Sequence, residues 1–385
     1  MEADKTNKWL WFKLNAKISP AKSVTLYEAL GSIDKIYSST KPELEALGFL
    51  KADEIERLCN KSLDNIEEHR RRLDELEVFL LTYDRDDYPA LLRTVPNPPL
   101  VLFARGKRLN LGKYLCIGVV GTRNPTVYGQ RSTDMLASGI AANGAVIVSG
   151  MALGVDAISH RAALRSGMPT VAVLGCGVDV VVPKSNYALY EAILQNGMVI
   201  SEYPISTPPA AYSFPQRNRI IAGISHGILV TEADVKSGSL ITADYALRYG
   251  RDIFALPGSI DSDASKGTNR LIKQGAFPVT EPSDVTACFY SSNLEQIKNT
   301  LNDFVLDAEN NSVESEPEPE DEKIEIPQNA PDEEKIMLSL SRKPLTIDQI
   351  SYATGIALGS LDVMLLMMEV GGKIRKTQGI YYTTA

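Results

Sequence analysis

The sequence contains little cysteine. Its four cysteines are scattered along 385 residues without a C-x-x-C pair, at Cys59, Cys116, Cys176 and Cys288. This spacing predicts neither disulfides nor a zinc site, and it is typical of a reducing compartment. We therefore expect a cytoplasmic protein without a structural metal.

Long apolar runs are also lacking. No stretch approaches the roughly 18 apolar residues that a membrane span requires. The run Trp9–Leu14 is too short for a signal-peptide core and is interrupted by Lys13. We therefore expect no membrane insertion.

Two nucleotide-binding signatures are absent where the first strong strand ends. The stretch Gly118–Thr126 lacks the G-x-G-x-x-G fingerprint, and no acidic residue follows where a dinucleotide ribose would require one. The stretch also lacks the G-K-[ST] end of a P-loop. These absences argue against both kinds of nucleotide loop, and we expect no cofactor.

Net positive charge is lacking too, but the deficit belongs to one segment. The chain has a formal net charge of −8, and residues 303–334 alone carry −12 because they hold 13 acidic residues and one basic residue, Lys323. The remaining residues therefore carry +4. A folded part with this charge is free to bind an anion, although the whole-chain charge alone argues against nucleic acid.

What the sequence does contain is a repeated unit of a short apolar strand, a turn with glycine and a helix. Six apolar runs are predicted to be strands: Tyr114–Val120, Ala145–Val148, Thr170–Leu174, Met198–Ser201, Gly227–Thr231 and Asp252–Leu256. Strands that alternate with helical segments predict parallel βαβ units, and nearly continuous Val, Ile and Leu indicate strands covered on both faces. The predicted class is α/β, with a parallel sheet as its core.

The ends of these strands predict a ligand site. In parallel sheets, ligands bind at the carboxyl ends of the strands, where helix N-termini present exposed N–H groups. Glycines that let backbone approach a ligand closely lie near these ends, at Gly121, Gly150, Gly177 and Gly238. This arrangement favours a ligand that carries phosphate.

Smaller regions flank the sheet, which is assigned to residues 81–289. Residues 1–80 are predicted to form a helical domain of the SAM-like or helix-hairpin-helix-like kind, and its longest helix is expected over Ala52–Leu81. The stretch Leu80–Gly106 is expected to extend the parallel sheet at one edge with two strands and a short helix. The helical domain of residues 1–80 is compatible with contacts to DNA or to protein.

The C-terminal part is predicted to contain a linker and a second domain. Residues 290–330 are acidic, contain prolines and have few apolar residues, which predicts a disordered linker. Residues 331–385 are predicted to hold three helices and a hairpin, the order of a winged-helix-like domain. The third helix, near Leu361–Glu369, lacks Lys and Arg, so a base-reading role is not expected of it.

Cationic residues follow several of the strands. Arg123 follows the first one, where an arginine fork can hold phosphate bidentately. Lys184 precedes a helix and Tyr187 lies three residues later; a cation with an aromatic ring is the minimal set for single-stranded nucleic acid. An exposed lysine beside a core tyrosine is an equally good interpretation of this pair.

A second cationic cluster consists of Arg217, Asn218 and Arg219. Two arginines at the strand-end face are hard to explain by packing, which favours a phosphate site. The alternative is a structural role in which they pair with Glu232 and Asp234.

Two short segments are predicted to meet an anion through their backbone. Ser149 and Gly150 are interpreted as an N-cap that faces the anion. Ser237, Gly238 and Ser239 are interpreted as a nest of N–H groups that opens a helix; the alternative is a tight turn that uses the backbone freedom of its glycine.

An acidic residue and a histidine follow the first of these segments. Asp156 and His160 have the i, i+4 spacing of a helix face, which could suggest a general-base pair. A surface hydrogen bond is the favoured interpretation because no nucleophile or orienting group is evident. We therefore expect no catalytic residue.

Together these segments resemble the DNA-processing protein A family (DprA, also called Smf). The resemblance covers about residues 82–284 and rests on these motifs: Val120-Gly-Thr-Arg123, Ser149-Gly-x-Ala-x-Gly-x-Asp156, Val182-Pro-Lys184, Ser201-Glu-Tyr-Pro204, Phe214-Pro-x-Arg-Asn-Arg219, Ser237-Gly-Ser239 and Ala255-Leu-Pro-Gly258. Val182 stands where the family often has Tyr, and the apolar third helix of the C-terminal domain is a second departure.

The resemblance implies an extended Rossmann-like core and a recombination mediator rather than an enzyme. Such proteins bind incoming single-stranded DNA, protect it and load the RecA recombinase during natural transformation. They form homodimers through the Rossmann-like domain. These properties are what the resemblance implies, whereas the residues themselves predict only the phosphate-binding face.

Two other functions remain alternatives. A related Rossmann-like group hydrolyses nucleoside monophosphates with a P-G-G-x-G-T phosphate loop and a nearby catalytic Glu, but the corresponding Ser237–Thr242 lacks that motif. A protein-interaction scaffold would leave Arg123, Lys184 and Arg217 without a role.

Overall fold

The computed structural model describes residues 2–311, 331–340, 345–356, 358–377 and 380–383. They belong to two compact units, Met1–Val313 and Glu314–Ala385. Within these described ranges, no helix combines the length and the apolar character needed to cross a bilayer.

The first unit begins with six helices and one π-helical turn. The helices are α1 (Glu2–Trp11), α2 (Pro20–Leu30), α3 (Ile33–Ser38), α4 (Lys41–Ala46), α5 (Ala52–Cys59) and α6 (Asp64–Glu75), and the π-helical turn spans Phe12–Ala16. Local sequence explains their ends: the Ser19 hydroxyl caps α2, and Gly31 ends it with a left-handed φ of 78°.

The single helix predicted over Ala52–Leu81 is wrong. The structure has α5, α6 and then strand β1 (Val78–Thr82) in that stretch. The Asn60 side chain accepts a hydrogen bond from the Ser62 N–H, and this turn ends α5. The predicted domain boundary after residue 80 therefore runs through a strand.

Nine strands form one sheet in the first unit. They are β1, β2 (Val101–Gly106), β3 (Leu115–Val120), β4 (Ala145–Ser149), β5 (Thr170–Leu174), β6 (Met198–Ser201), β7 (Gly227–Val230), β8 (Asp252–Ala255) and β9 (Phe277–Pro278). Their order is β1-β2-β6-β5-β4-β3-β7-β8-β9, and every pair from β6 to β9 is parallel. The predicted α/β class and the six central strands are confirmed, with ends that differ by at most one residue.

The edge of the sheet departs from the expectation. The stretch from residue 80 to 106 does supply edge strands, but β1 and β2 pair antiparallel with each other, and β2 pairs antiparallel with β6. The connection between β1 and β2 contains only the four-residue helix α7 (Ala90–Arg93). A parallel crossover usually contains a longer helix that packs on the sheet, and because this connection has none, the chain turns back instead.

Helices cover both faces of the sheet. They are α8 (Val127–Ala142), α9 (Val155–Arg165), α10 (Tyr187–Asn196), α11 (Ser213–Ile224), α12 (Ser239–Arg248), α13 (Asp263–Lys273), α14 (Ser283–Thr286) and α15 (Leu294–Asn311). Alternate residues of β3 enter different cores: Cys116 packs in one cluster, and Ile117 and Val119 pack in another. Burial on both faces explains why the strands are almost continuously apolar.

Helix α15 lies in the region predicted to be a disordered linker. Its first three turns pack against the sheet domain: Ile297 is 3% exposed and Thr300 is fully buried, while the Tyr114 hydroxyl donates to Asp303 at 2.9 Å. The linker prediction is therefore wrong for residues 294–304. Residues 312–330 lie outside the described residues.

The second unit has the predicted order of three helices and a hairpin. It contains α16 (Asp332–Leu340), β10 (Leu345–Thr346), α17 (Ile347–Thr354), α18 (Leu358–Val370), β11 (Ile374–Thr377) and β12 (Ile380–Thr383). Buried residues such as Ile336, Leu361 and Leu365 form a small core of its own. On the wing, Lys373 forms an ion pair with Glu333.

Candidate functional site

A cavity of about 580 Å³ opens where β3 ends, between the first turns of α11 and α12. We call it the strand-end cavity. Its lining includes Gly121, Arg123, Asp156, Phe214, Arg217, Asn218 and the turn Ser237–Ser239. The volume is within the roughly 300–1,000 Å³ that is usual for a small-molecule site. The cavity therefore brings together most of the residues that the sequence singled out.

Arg123 lies at the rim of this cavity and is exposed. Its guanidinium carbon lies 5.8 Å from the centroid of the Phe214 ring, which is within the range of a cation–π contact. The loop below it is fixed because the Thr122 N–H donates to the Glu232 carbonyl at 2.8 Å. The guanidinium is thus held on a fixed loop while its donors remain accessible.

Arg217 lies in the floor of the cavity and is only 5% exposed. Its guanidinium donates to the carbonyl of Gly150 at 2.6 Å and to the carbonyl of Val173. Burial lowers the pKa of this guanidinium, and the nearby Asp156 carboxylate opposes that shift. Arg217 therefore ties the ends of β4 and β5 to α11, a structural role that the sequence analysis rated as the weaker alternative.

Packing explains two of the strand-end glycines. A Cβ on Gly150 would lie 2.5 Å from the Arg217 guanidinium, and a Cβ on Gly121 would lie 2.6 Å from the Val155 side chain. Neither position can hold a larger residue without moving its neighbours. The glycines at these two positions therefore do not by themselves indicate a ligand.

The turn that precedes α12 differs from these positions. Gly238 has a right-handed φ of −64°, and a Cβ on it would meet no atom within 4 Å. The alternative of a tight turn that requires glycine is therefore wrong. The Ser237 N–H already donates to the Asp234 carbonyl at 2.9 Å and the Ser239 N–H to the Ser237 hydroxyl at 3.4 Å, so of the three predicted N–H groups that of Gly238 remains open.

Ser149 does not cap a helix, contrary to the prediction. It is the last residue of β4, it is fully buried, and its hydroxyl donates to the Val119 carbonyl at 2.6 Å. Helix α9 begins only at Val155, and its N-cap is Gly154 with a left-handed φ of 73°. Ser149 therefore joins two strands instead of meeting an anion.

Asp156 and His160 do not form the expected surface hydrogen bond. The Asp156 carboxylate accepts from the Ala152 N–H at 3.2 Å, whereas His160 is fully buried and its Nδ1 lies 2.7 Å from the Thr170 hydroxyl. Burial raises the pKa of Asp156 and lowers that of His160 to about 3. The two side chains therefore form hydrogen bonds with different residues, Asp156 with Ala152 and His160 with Thr170.

Lys184 begins a 3-10 turn (Lys184–Asn186), and Tyr187 is the first residue of α10, which directly follows that turn. Both are exposed, Tyr187 by 59%, so its interpretation as a core residue is wrong. Between them, buried Asn186 donates to the carbonyls of Met151 and Ala152 at 3.0 and 3.3 Å. Neither Lys184 nor Tyr187 lines the cavity; the link to it is Asn186, because Ala152 is one of the lining residues.

Arg219 points into a different cavity of about 680 Å³. We call this the tyrosine cavity, after Tyr203, Tyr245 and Tyr249 in its lining. Arg219 forms an ion pair with Glu202 and donates to the Asn97 carbonyl at 3.1 Å. Arg219 therefore pairs with Glu202 and not with the predicted partners Glu232 and Asp234. The Glu232 carboxylate instead accepts hydrogen bonds from the N–H and the hydroxyl of Thr126.

Sequence reasoning missed two aromatic residues near the site. Phe214 supports Arg123, and Tyr212, which directly precedes α11, is 67% exposed. The motif around Phe214 was recognised, but its ring was not assigned a role. An exposed aromatic residue one position before a helix is the signal that could have identified Tyr212.

In the part of the chain that the structure describes, no three His, Cys, Asp or Glu side chains converge as metal ligands.

Comparisons with known proteins agree on one family. Residues 79–290 match the family model described as DNA recombination-mediator protein A, and residues 315–379 match the DprA winged helix domain. Protein Smf of Synechocystis is 36% identical over 337 residues, which cover 82% of this chain and 82% of that protein. DNA processing protein DprA of Bacillus subtilis is 36% identical over 279 residues, covering 71% of this chain and 91% of that protein.

A solved structure agrees with these matches. DprA from Streptococcus pneumoniae superposes with a TM-score of 0.67 at 33% identity and covers 73% of this chain and 97% of that one.

Proposed function

Because the chain belongs to the DNA recombination-mediator protein A family, we propose that it binds single-stranded DNA at the strand-end cavity. The family is one of DNA-processing proteins that mediate recombination. The observation that carries the proposal is the exposed pair Lys184 and Tyr187 at the start of α10, which Asn186 anchors to the cavity-lining residue Ala152. Single strands offer unpaired bases for stacking and phosphates for the cation, whereas duplex DNA hides its base faces.

The cations around this cavity have distinct roles in the proposal. Arg123, Lys184 and the exposed Lys236 contact phosphates, while buried Arg217 holds the floor in shape and adds positive potential. Gly238 supports a ligand there, because neither its backbone angle nor a neighbouring atom requires glycine. The first turn of α12 also directs its positive dipole end toward the cavity.

Family membership supports three further proposals. The chain delivers its bound single strand to a recombinase of the RecA type during DNA uptake, it acts as a homodimer through the Rossmann-like unit, and it does so in the cytoplasm. We also propose that it acts without catalysis. The separate hydrogen-bond partners of Asp156 and His160 support that view.

The test measures the affinity of the full chain for a dT oligonucleotide and for a duplex of equal length across a salt titration. The variants are Arg123→Ala, Lys184→Ala and Tyr187→Ala. The controls are Arg270→Ala and Tyr290→Ala, which replace exposed residues that line neither cavity. Losing one phosphate contact should lower the salt slope by roughly 0.7, whereas losing a stacked ring should cost about 1–3 kcal/mol at nearly constant slope.

Three outcomes would contradict the proposal. They are equal affinity for the single strand and the duplex, affinity that does not change with salt, and variants that bind like the controls. Incubating the protein with nucleoside monophosphates tests the enzymatic alternative, because released base would show hydrolysis.

A further inference from the structure

The tyrosine cavity is not part of the DNA site in the proposed function. It lies within the first unit, between the π-helical turn with its following loop, the proline-rich loop at residues 96–99, and helices α11 and α12. The rings of Tyr245 and Tyr249 stack with centroids 5.9 Å apart and planes at 29°. The Tyr203 hydroxyl donates to Gln216 at 3.1 Å, and burial raises its pKa to about 12.

The charge of this cavity is positive. Its one acidic residue, Glu202, is paired with Arg219 and lies 3.9 Å from the Lys13 ammonium, so its charge is compensated. Lys17 and Arg248 are exposed and take part in no ion pair among the described residues. Stacked tyrosines beside uncompensated cations are the combination that binds nucleic-acid bases and phosphates together.

Helix α12 connects the two cavities along one face. Ile241 and Thr242 line the strand-end cavity, and Tyr245, Arg248 and Tyr249 line the tyrosine cavity. Ile241, Tyr245 and Arg248 are spaced i, i+4 and i+7, and Thr242, Tyr245 and Tyr249 are spaced i, i+3 and i+7, so all five lie on one side of the helix. From Ile241 to Arg248 the helix rises roughly 10 Å, so the cavities are neighbours on one surface.

Helix α11 lies beside both cavities as well. It presents Asn218 to the strand-end cavity and Gln216 to the tyrosine cavity. The Asn218 amide also donates to the Gly238 carbonyl at 3.3 Å, which joins α11 to the start of α12 in the strand-end cavity. Helices α11 and α12 therefore each contribute side chains to both cavities.

We propose that the tyrosine cavity is a second binding site for single-stranded DNA, in which bases stack on Tyr245 and Tyr249 and Arg248 holds a phosphate. The proposal rests on the proposed function, because the strand enters from the strand-end cavity along α12. Because Lys17 lines this cavity, the N-terminal helical region would also contact the DNA.

Affinities for oligonucleotides of different length distinguish binding at the strand-end cavity alone from binding at both cavities. We would measure affinities for dT oligonucleotides from roughly 4 to 16 nucleotides, the range of site sizes found for single-strand binding folds. The variants are Tyr245→Leu, Tyr249→Leu and Arg248→Gln, with Tyr290→Leu and Arg270→Gln as matched controls outside both cavities. Leucine keeps apolar volume against the core on which both tyrosines pack.

The expected result depends on length. Oligonucleotides short enough to fill only the strand-end cavity should bind the variants and the wild type equally. Longer ones should bind the tyrosine variants about 5- to 100-fold more weakly, and Arg248→Gln should lower the salt slope by about 0.7. Photocrosslinking of an oligonucleotide that carries 5-iodouracil should attach it to Tyr245 or Tyr249.

Other results overturn the proposal. One is equal affinity of variants and wild type for every length, with crosslinks only near Tyr187; this result leaves the proposed function intact. Another is a polyproline peptide that binds the cavity and is not displaced by dT, which would mean a protein ligand. If the wild-type chain binds no oligonucleotide of any length, both proposals fail.

Discussion

Replacing Arg217 by methionine should destabilise the first unit strongly. The guanidinium is 5% exposed and donates to the Gly150 and Val173 carbonyls, and it opposes the charge of Asp156 in the lining of the cavity. Arg217 compensates Asp156 at longer range than a direct ion pair, so its loss leaves a buried charge without compensation and two carbonyls without a donor; losing a buried partner of this kind costs about 3–5 kcal/mol. We expect the free energy of unfolding of Arg217→Met to fall by about this amount.

The double variant Arg217→Met, Asp156→Asn should regain about 2 kcal/mol, since it leaves no buried charge uncompensated. The pH dependence has a defined sign. The pKa of Asp156 is raised in the folded protein, so its ionised form opposes folding, and the stability that this group contributes increases as pH falls through the folded pKa. Without Arg217 that pKa rises further, and the deficit of the single variant should shrink in acid.

The assay is urea unfolding of the full chain, followed by the fluorescence of Trp9 and Trp11, which are buried in the first unit. Arg270→Met, at an exposed position, is the control. A loss below about 1 kcal/mol for Arg217→Met, or a double variant no more stable than the single one, would refute this account of the buried charges.

Three other predictions follow from named contacts. Gly129→Ala should lower stability by about 1–3 kcal/mol, because its Cβ would lie 2.0 Å from the Glu232 carboxylate, whereas Gly238→Ala should leave thermal unfolding unchanged and weaken DNA binding. A chain ending at residue 313 should fold and bind DNA, but one ending at residue 289 should melt at a lower temperature because it loses buried Ile297 and Thr300; equal melting temperatures would contradict the packing of α15. His160→Gln should flatten the pH dependence of stability between about pH 6.5 and 3, measured by urea unfolding. The lowered pKa of His160 means that the unfolded chain takes up the proton first, so the wild type loses up to about 1.4 kcal/mol per pH unit as pH falls through that window.

The α/β core, the six central strands and the order of elements in the winged-helix domain could all be predicted from the amino-acid sequence. Strands buried on both faces must be apolar along their whole length, so their ends are visible where glycine and polar residues begin. The sequence also predicted the strand-end site, because parallel strands bring their carboxyl ends to one edge whatever the packing around them. Arg123 and Asn218 were placed correctly at the cavity for that reason.

The contacts of individual side chains could not be predicted, because they depend on which elements pack together. Arg217 and Arg219 are two residues apart on α11, so they point in different directions around the helix: one is buried in the floor of the strand-end cavity and the other pairs with Glu202 in the tyrosine cavity. The antiparallel edge, the packing of α15 and the buried hydroxyl of Ser149 likewise depend on which element lies alongside. Periodicity shows that a face is buried, but the partner that buries it comes from distant parts of the chain.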